Sequence, residues 1–387
     1  MTAEQRAWAE ISLAAIAHNV RSILESLPAE SEMMAVVKAD AYGHGFLPVT
    51  RAALQAGCSW LGVAAVGEGI RLRENGVNAQ IAVLAPCAPD EAPEIAEYGL
   101  TCMVGDPEIV RALGTQVAAG KSISVHLDID TGMGRSGTLA ESAVDLYQLA
   151  IRCGLNVEGV STHFSDADGA SPEHTDMQIH AFNCACRALR AEGAVFRWVH
   201  MSNSAATLRQ LQGECNLFRP GLIMYGINCP LGGNSSQEVN LNLRRVLSLY
   251  ARTASIRHLP VGHAIGYGAT HRLAGPARVA TVTIGYGDGY PRALSGRADM
   301  LICGQRAPVL GRISMDQTVV DVTHIPEAKP GDIAVCIGDM DGEEVTVNEL
   351  AQRSGLIEHE ITTGLSLRIP RRYTGGHESV TQLGCNI

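Results

Sequence analysis

Between residues 11 and 235, eight short apolar runs alternate with stretches of helical periodicity, and this alternation limits the folds open to the chain. The runs are MMAVVK (33–38), WLGVA (60–64), IAVLA (81–85), LTCMV (100–104), SISVHLDI (122–129), VEGVSTH (157–163), FRWVHM (196–201) and NLF (216–218). Between them stand helix-like segments such as VGEGIRLREN, LAESAVDLYQLAIRC and PEHTDMQIHAFNCACRALRAEG. Eight strand–helix units predict an α/β fold of the (β/α)8 barrel type. After about residue 240 the texture changes: VLSLYARTASIRHL, ARVATVTIGYG, DMLICGQRAPVLGRI, QTVVDVTHI and GDIAVCIGD are rich in Val, Thr and Ile and are separated by turn residues. This predicts a mostly β C-terminal domain. The expected domains are 11–235 and 240–387, joined through LGGNSSQEV (231–239), with residues 1–10 pairing onto the second domain through RAWAEI.

Composition agrees with two sizeable cores. The chain has 387 residues, 46% hydrophobic and 18% charged, which excludes a disordered protein. A net charge of -10 argues against a nucleic-acid or anionic-membrane partner. Eleven cysteines are scattered singly, and the one close pair, Cys184 and Cys186, has the wrong spacing for a zinc site. No metal is expected, and unpaired thiols point to a cytoplasmic protein. The N-terminus carries neither a basic segment nor an apolar one, so no secretion signal or membrane span is expected.

In a barrel of this type, chemistry gathers where strands end at their C-terminal face. The first run ends in Lys38, within AVVKADAYGHG. An apolar run before a lysine supplies the partial desolvation that a nucleophilic, Schiff-base amine needs. The fifth run leads into DTGMGR with Arg135, whose small neighbours permit close approach and whose guanidinium suits a carboxylate. The sixth ends in His163. The seventh leads into SNSAATL, containing Ser204, and the eighth into Arg219, Pro220 and Gly221. Barrels often bind phosphate around strands seven and eight, and a helix opening there favours an anion. Tyr42 offers a hydroxyl from the first loop. In the second domain, IGYGATH and GYGDGYPR set Tyr267, Tyr286 and Tyr290 among glycines, a pattern that presents the ring on a turn, and GRISMDQ carries Met315 and Asp316.

AVVKADAYGHG, HLDIDTGMGR, THFSDAD, HMSNSAA, LFRPGLIMYG, IGYGATH, GYGDGYPR and GRISMDQ, in this order and spacing, resemble the alanine racemase family, from RAWAEI to RIPRRY. The resemblance implies a pyridoxal-phosphate enzyme with an N-terminal barrel and a C-terminal β domain. It implies that Lys38 holds pyridoxal 5'-phosphate and serves as one catalytic base. Tyr267, from the partner subunit of a head-to-tail homodimer, would be the other. Arg219 would donate to the pyridine nitrogen, and Tyr42, Ser204 and the Gly221 amide would bind phosphate. His163 would couple to Arg219 and Tyr267. Arg135 would approach the cofactor's phenolic oxygen and the substrate carboxylate, and the Met315 amide would meet that carboxylate too. Tyr286 would line the entrance.

Two positions depart from the family pattern. Where many members carry a carbamylated lysine that braces the arginine, this chain has Asp128, which is expected to brace Arg135 directly. Where some carry a tyrosine before R-x-P-R, this chain has Leu367. Racemisation of alanine is the leading expectation, with a lysine and a tyrosine acting on opposite faces of a planar carbanion. Tyrosine ionises near ~10 unperturbed, so its anion needs cationic support. Serine racemisation is the alternative raised by Asp128 and Leu367. Decarboxylation by a related two-domain enzyme fits IGYGATH poorly. A non-catalytic pyridoxal-phosphate carrier would lack the second domain.

Overall fold

Eight parallel strands follow one another around a barrel in chain order: Glu32–Val36, Trp60–Val63, Gln80–Val83, Thr101–Val104, Ser124–Asp130, Asn156–Ser161, Trp198–His200 and Leu217–Phe218. The eighth returns to the first, with Leu217 opposite Glu32 and Phe218 opposite Met33. Strands seven and eight are joined by Asn216. Its backbone N–H donates to the Val199 carbonyl at 3.0 Å, and its side-chain oxygen accepts from the Val199 N–H at 2.8 Å. A side-chain amide thus completes the ring where the last strand is too short for a ladder. In this computed structural model, residues 6–211, 213–229, 231–232 and 241–376 are described.

Alternate residues of a strand face the same side, and that rule fills the barrel interior. Met34, Trp60, Ala82, Met103, Trp198 and Leu217 form one apolar cluster. Beside it lies the fully buried His126, its ring 5.3 Å from Trp60 and 4.9 Å from His200. Gly159 makes room for it, since a Cβ there would lie 2.6 Å from the imidazole. Two residues further along, the same faces carry Asp128, Ser161, His200 and Arg219. The interior therefore changes from apolar to polar along the strands.

Two compact units divide the chain: Ile16–Ala41 with Phe46–Leu243, and Met1–Ala15 with Tyr42–Gly45 and Arg244–Ile387. The expected barrel range of 11–235 thus gives up two pieces to the β unit. The Tyr42 ring packs against His359 at 5.5 Å, and Arg371 donates to the Gly43 carbonyl at 3.2 Å. Most of the expected linker, from residue 233, lies outside the described residues.

The second unit is built on the 13-residue strand Leu247–Leu259. It pairs with Ala7–Ser12 and Ile333–Met340 along its first half and with Ala277–Val282 along its second. A register shift between Thr253 and Ser255 marks the change. Asp299–Ile302, Gln305–Pro308 and Arg371–Thr374 extend the first sheet, and Thr318–Asp321 pairs with Ala277–Val282. Two short helices, Val347–Ser354 and Glu358–Thr363, complete it. No helix among the described residues is long and apolar enough to cross a membrane.

Candidate active site

Lys38 stands two residues beyond the first barrel strand, and the chain there takes an unusual turn. Ala39, Asp40 and Ala41 all adopt left-handed helical geometry, with φ of 53, 54 and 53°. For residues with a Cβ this costs roughly 1–2 kcal/mol each. Specific hydrogen bonds offset the cost. The Ala39 N–H donates to Glu68 at 2.7 Å, the Ala41 N–H to the Val37 carbonyl at 2.9 Å, and Asp40 accepts from the Phe46 N–H at 2.9 Å. Glu68 also accepts from the N–H groups of Ala64 and Ala65, which fixes the carboxylate between the first two strand ends.

The Lys38 amine lies in a mainly cationic setting. Burial lowers its pKa, and Arg135 and then Arg219 lower it further, with Glu68 opposing. This shifts the amine toward its neutral, nucleophilic form. His163 is lowered to about 3 by burial and by the Arg219 and Arg135 charges, so its ring is neutral.

Arg219 is the hub of the barrel end. It is buried and contacts His200 Nδ1 at 2.6 Å, His163 Nδ1 at 3.2 Å, and the carbonyls of Thr162 at 2.8 Å and Met201 at 3.4 Å. Behind it, His200 Nε2 meets His126 Nδ1 at 2.8 Å, and His126 Nε2 lies 3.7 Å from Glu158. Burial lowers the pKa of both histidines. A guanidinium facing neutral imidazoles keeps its proton while they accept from it. His126 and His200 were not singled out from sequence, although strand alternation carries the signal: His126 precedes Asp128 by two, as Leu217 precedes Arg219.

Asp128 does not take the place expected for it. Its carboxylate accepts from Ser136 at 3.1 Å and Ser161 at 3.0 Å, and the Arg135 side chain is exposed. The carboxylate points into the barrel end, where two hydroxyls lie closer than the guanidinium. Burial raises its pKa, against the pull of those hydroxyls and the arginines. The loop carrying Arg135 is shaped instead by Asp130, which accepts from the N–H groups of Gly132, Met133 and Gly134 at 2.9, 3.0 and 3.1 Å.

Ser204 and Gly221 sit side by side after strands seven and eight, with the Gly221 N–H donating to the Ser204 hydroxyl at 2.8 Å. Asn203 caps the short helix Ser204–Leu208 by accepting from the Ala206 N–H at 3.0 Å. The lysine, two arginines and this hydroxyl–amide pair make a donor set suited to an anionic, carbonyl-bearing cofactor. Among the described residues, no cluster of His, Cys, Asp or Glu could hold a metal ion.

The second unit carries its own constellation. Tyr267 is 70% exposed, in a turn where Gly266 and Gly268 have positive φ. Tyr286 and Met315 are also exposed, whereas Tyr290, followed by Pro291 rather than by a glycine, is buried. The loops are tied together: the Tyr286 N–H donates to the Ser314 carbonyl at 3.1 Å and the Gly287 N–H to the Met315 carbonyl at 2.8 Å. The fully buried Asp288 pairs with Arg6 and accepts from the Gly285 N–H at 3.0 Å. Arg368 donates to Asp316 at 2.7 Å, and Arg6 donates to the Asp316 carbonyl at 2.9 Å. Leu367 is 87% exposed.

A barrel with a lysine after its first strand and arginines after the fifth and eighth strands, followed by a β unit presenting tyrosines, is the two-domain arrangement that the resemblance to the pyridoxal-phosphate racemases implies. Residues 11–229 match the family model for the alanine racemase N-terminal domain, and residues 246–373 match that for the C-terminal domain. The alanine racemase of Desulforamulus reducens is 37% identical over 374 residues, 95% of this chain and 99% of its own. That of Symbiobacterium thermophilum is 38% identical, over 95% of this chain and 97% of its own. Among solved structures, the alanine racemase of Streptomyces lavendulae superposes with a TM-score of 0.89 at 35% identity, covering 96% of this chain and 98% of that one. The Bartonella henselae enzyme, solved with covalently bound pyridoxal phosphate, gives 0.84 at 27% identity, over 95% and 99%. The chain belongs to the alanine racemase family.

Proposed function

We propose that this protein racemises alanine with pyridoxal phosphate held on Lys38. The observation that carries the reading is the place of Lys38, two residues beyond the first barrel strand, where burial and then Arg135 lower the pKa of its amine. The names of the relatives support alanine as substrate, and they do not favour the serine alternative.

When bound, pyridoxal phosphate supplies an electron sink that acidifies the Cα–H of an amino acid. The chain's own residues do the rest. Ser204, the Gly221 amide and Tyr42 would hold the phosphate, and Arg219 would present an N–H to the ring nitrogen. Arg219 cannot readily give up that proton. Its neutral partners His163 and His200 hold the guanidinium in place without adding charge. Arg135 and the Met315 amide would bind the substrate carboxylate. Inversion needs a proton acceptor on each face of Cα, and Lys38 and Tyr267 are the two assigned. Exposure of Tyr267 fits a hydroxyl that serves the barrel of a second copy, in a head-to-tail homodimer. Among the described residues no two cysteines form a disulfide, which suits a reducing cytoplasm.

The test is chiral analysis after incubating the pyridoxal-phosphate-loaded protein with L-alanine. D-alanine should form with the parent and not with Lys38→Ala, which should also lose the visible absorbance of bound cofactor. A Lys38→Ala protein that racemises alanine at the parent rate overturns the reading. Sedimentation tests the dimer: a monomer at assay concentration, with activity intact, refutes the shared site.

A further inference from the structure

One buried side chain touches both loops that carry the barrel-end groups. Gln178, on helix Glu173–Ala191, has no exposed surface. Its Nε2 donates to the Thr131 hydroxyl at 3.2 Å and to the His163 carbonyl at 3.0 Å. Its Oε1 accepts from the Ser165 N–H at 3.1 Å and the Ser165 hydroxyl at 3.2 Å. Both donors and both acceptor sites of the carboxamide are used, so only one orientation satisfies it. Thr131 in turn meets Thr162 across the two loops at 2.8 Å. Gly132 passes close above, and a Cβ there would lie 3.5 Å from Gln178 Cγ.

Thr131 begins the turn that ends in Arg135, and His163 is the residue whose ring meets Arg219. We infer that Gln178 is a positioning residue that sets Arg135 and His163 in register beside Lys38. This rests on the assignment of those residues to the site under the proposed function. A saturated buried amide specifies one geometry, and a partly satisfied one permits several. Loss of its donors frees the His163 carbonyl and the Arg135 turn to move independently, while the cofactor-holding residues Lys38, Ser204 and Gly221 make no contact with it. The register of loops, rather than cofactor retention, is what the amide controls.

The discriminating variant is Gln178→Glu, which keeps shape and acceptors but loses both donors when ionised. A protonated carboxylic acid restores one donor. The titratable groups on the surrounding segments are Asp130, His163, Asp166 and His174, all present in the parent control. The expected result is a variant that binds pyridoxal phosphate with a Kd within about threefold of the parent. Its kcat should be roughly 10- to 100-fold lower at alkaline pH, with the deficit shrinking as pH falls. The pH dependence of the cofactor absorbance should shift in step. Gln178→Met, which has no donor at any pH, should show a deficit that does not change with pH. A Gln178→Glu deficit that is constant across pH, or no deficit at all, overturns the inference. So does a loss that only tracks the folded fraction measured by circular dichroism. Arg135→Lys and His163→Asn separate the two levels. If both leave kcat intact, the site assignment fails. If both lower it while Gln178→Glu does not, the positioning role alone fails.

Discussion

Three histidines, His126, His163 and His200, are buried in the barrel and held neutral, and this makes a quantitative prediction about acid stability. Each has a native pKa below the ordinary value of 6.5, by burial first and by the Arg219 charge as well. The unfolded chain therefore binds more protons than the native one as pH falls below about 6.5, so stability is fully present above that value and is lost on acidification. For His163, lowered to about 3, the native ring stays essentially unprotonated throughout this window. Moving from about pH 7.5 to about 5.5 then removes about 1.4 kcal/mol through this residue alone. For a domain of this size that corresponds to about 3–5 °C in Tm. Asp128 acts in the opposite sense, because its raised pKa makes the native state the better proton binder between the two values. The total slope is thus not the test; the difference between parent and variant is. His163→Asn has no proton to gain on unfolding, so its Tm should fall by about 3–5 °C less than the parent's over the same interval, measured by calorimetry at both pH values. A variant whose Tm falls as steeply as the parent's refutes the reasoning, whatever its stability at neutral pH.

Other perturbations follow from single contacts. Ser204→Ala removes the acceptor of the buried Gly221 N–H, and should cost about 1–3 kcal/mol and weaken retention of pyridoxal phosphate, measured by equilibrium dialysis. Gly285→Ala would set a Cβ 2.1 Å from the Ser314 carbonyl oxygen, so the Tyr286 and Met315 loops must separate. The expected destabilisation is about 1–3 kcal/mol by thermal melt, together with a fall in kcat/KM. Asp288→Asn removes the fully buried carboxylate that pairs with Arg6, while Arg6 itself is partly exposed and keeps Asp316, so the change should cost about 1–3 kcal/mol by chemical denaturation.

Much of the architecture was legible because parallel barrels announce themselves by repetition. All eight apolar runs became strands, since each is a short stretch rich in Val, Ile, Leu and Met that a helix flanks. The positions of the candidate site residues were legible for the same reason: Lys38, Arg135, His163, Ser204 and Arg219 each follow a strand end. What escaped was tertiary. The left-handed turn after Lys38 has no glycine until Gly43, and Ala-Asp-Ala carries no propensity for it; contacts with Glu68 and Phe46 impose it. Asp128 is expected beside Arg135 because it stands where many family members carry the lysine that braces that arginine. Strand alternation turns Asp128 inward, where Ser161 of the next strand already waits. The packing of Tyr42–Gly45 against Thr362 and Tyr373 joins segments over 300 residues apart, and no local pattern reports it.

These omissions share a physical cause, and it bears on the protonation of Lys38. A lysine at a strand end would ordinarily snorkel to water and stay charged. Here the chain turns back immediately after it in a conformation that L-residues resist, and Glu68 uses both carboxylate oxygens on backbone amides rather than on the amine. The one acid facing Lys38 is thereby committed elsewhere. Its charge still raises the amine's pKa, but burial first and Arg135 next outweigh it, with Arg219 adding to them. Arg219 itself makes its hydrogen bonds to imidazoles and carbonyls rather than to a carboxylate. A buried lysine beside cations is the less protonated for both. Burial, Arg135 and Arg219 thus lower the proton affinity of the Lys38 amine, and Glu68, held on backbone amides, opposes them from a fixed position.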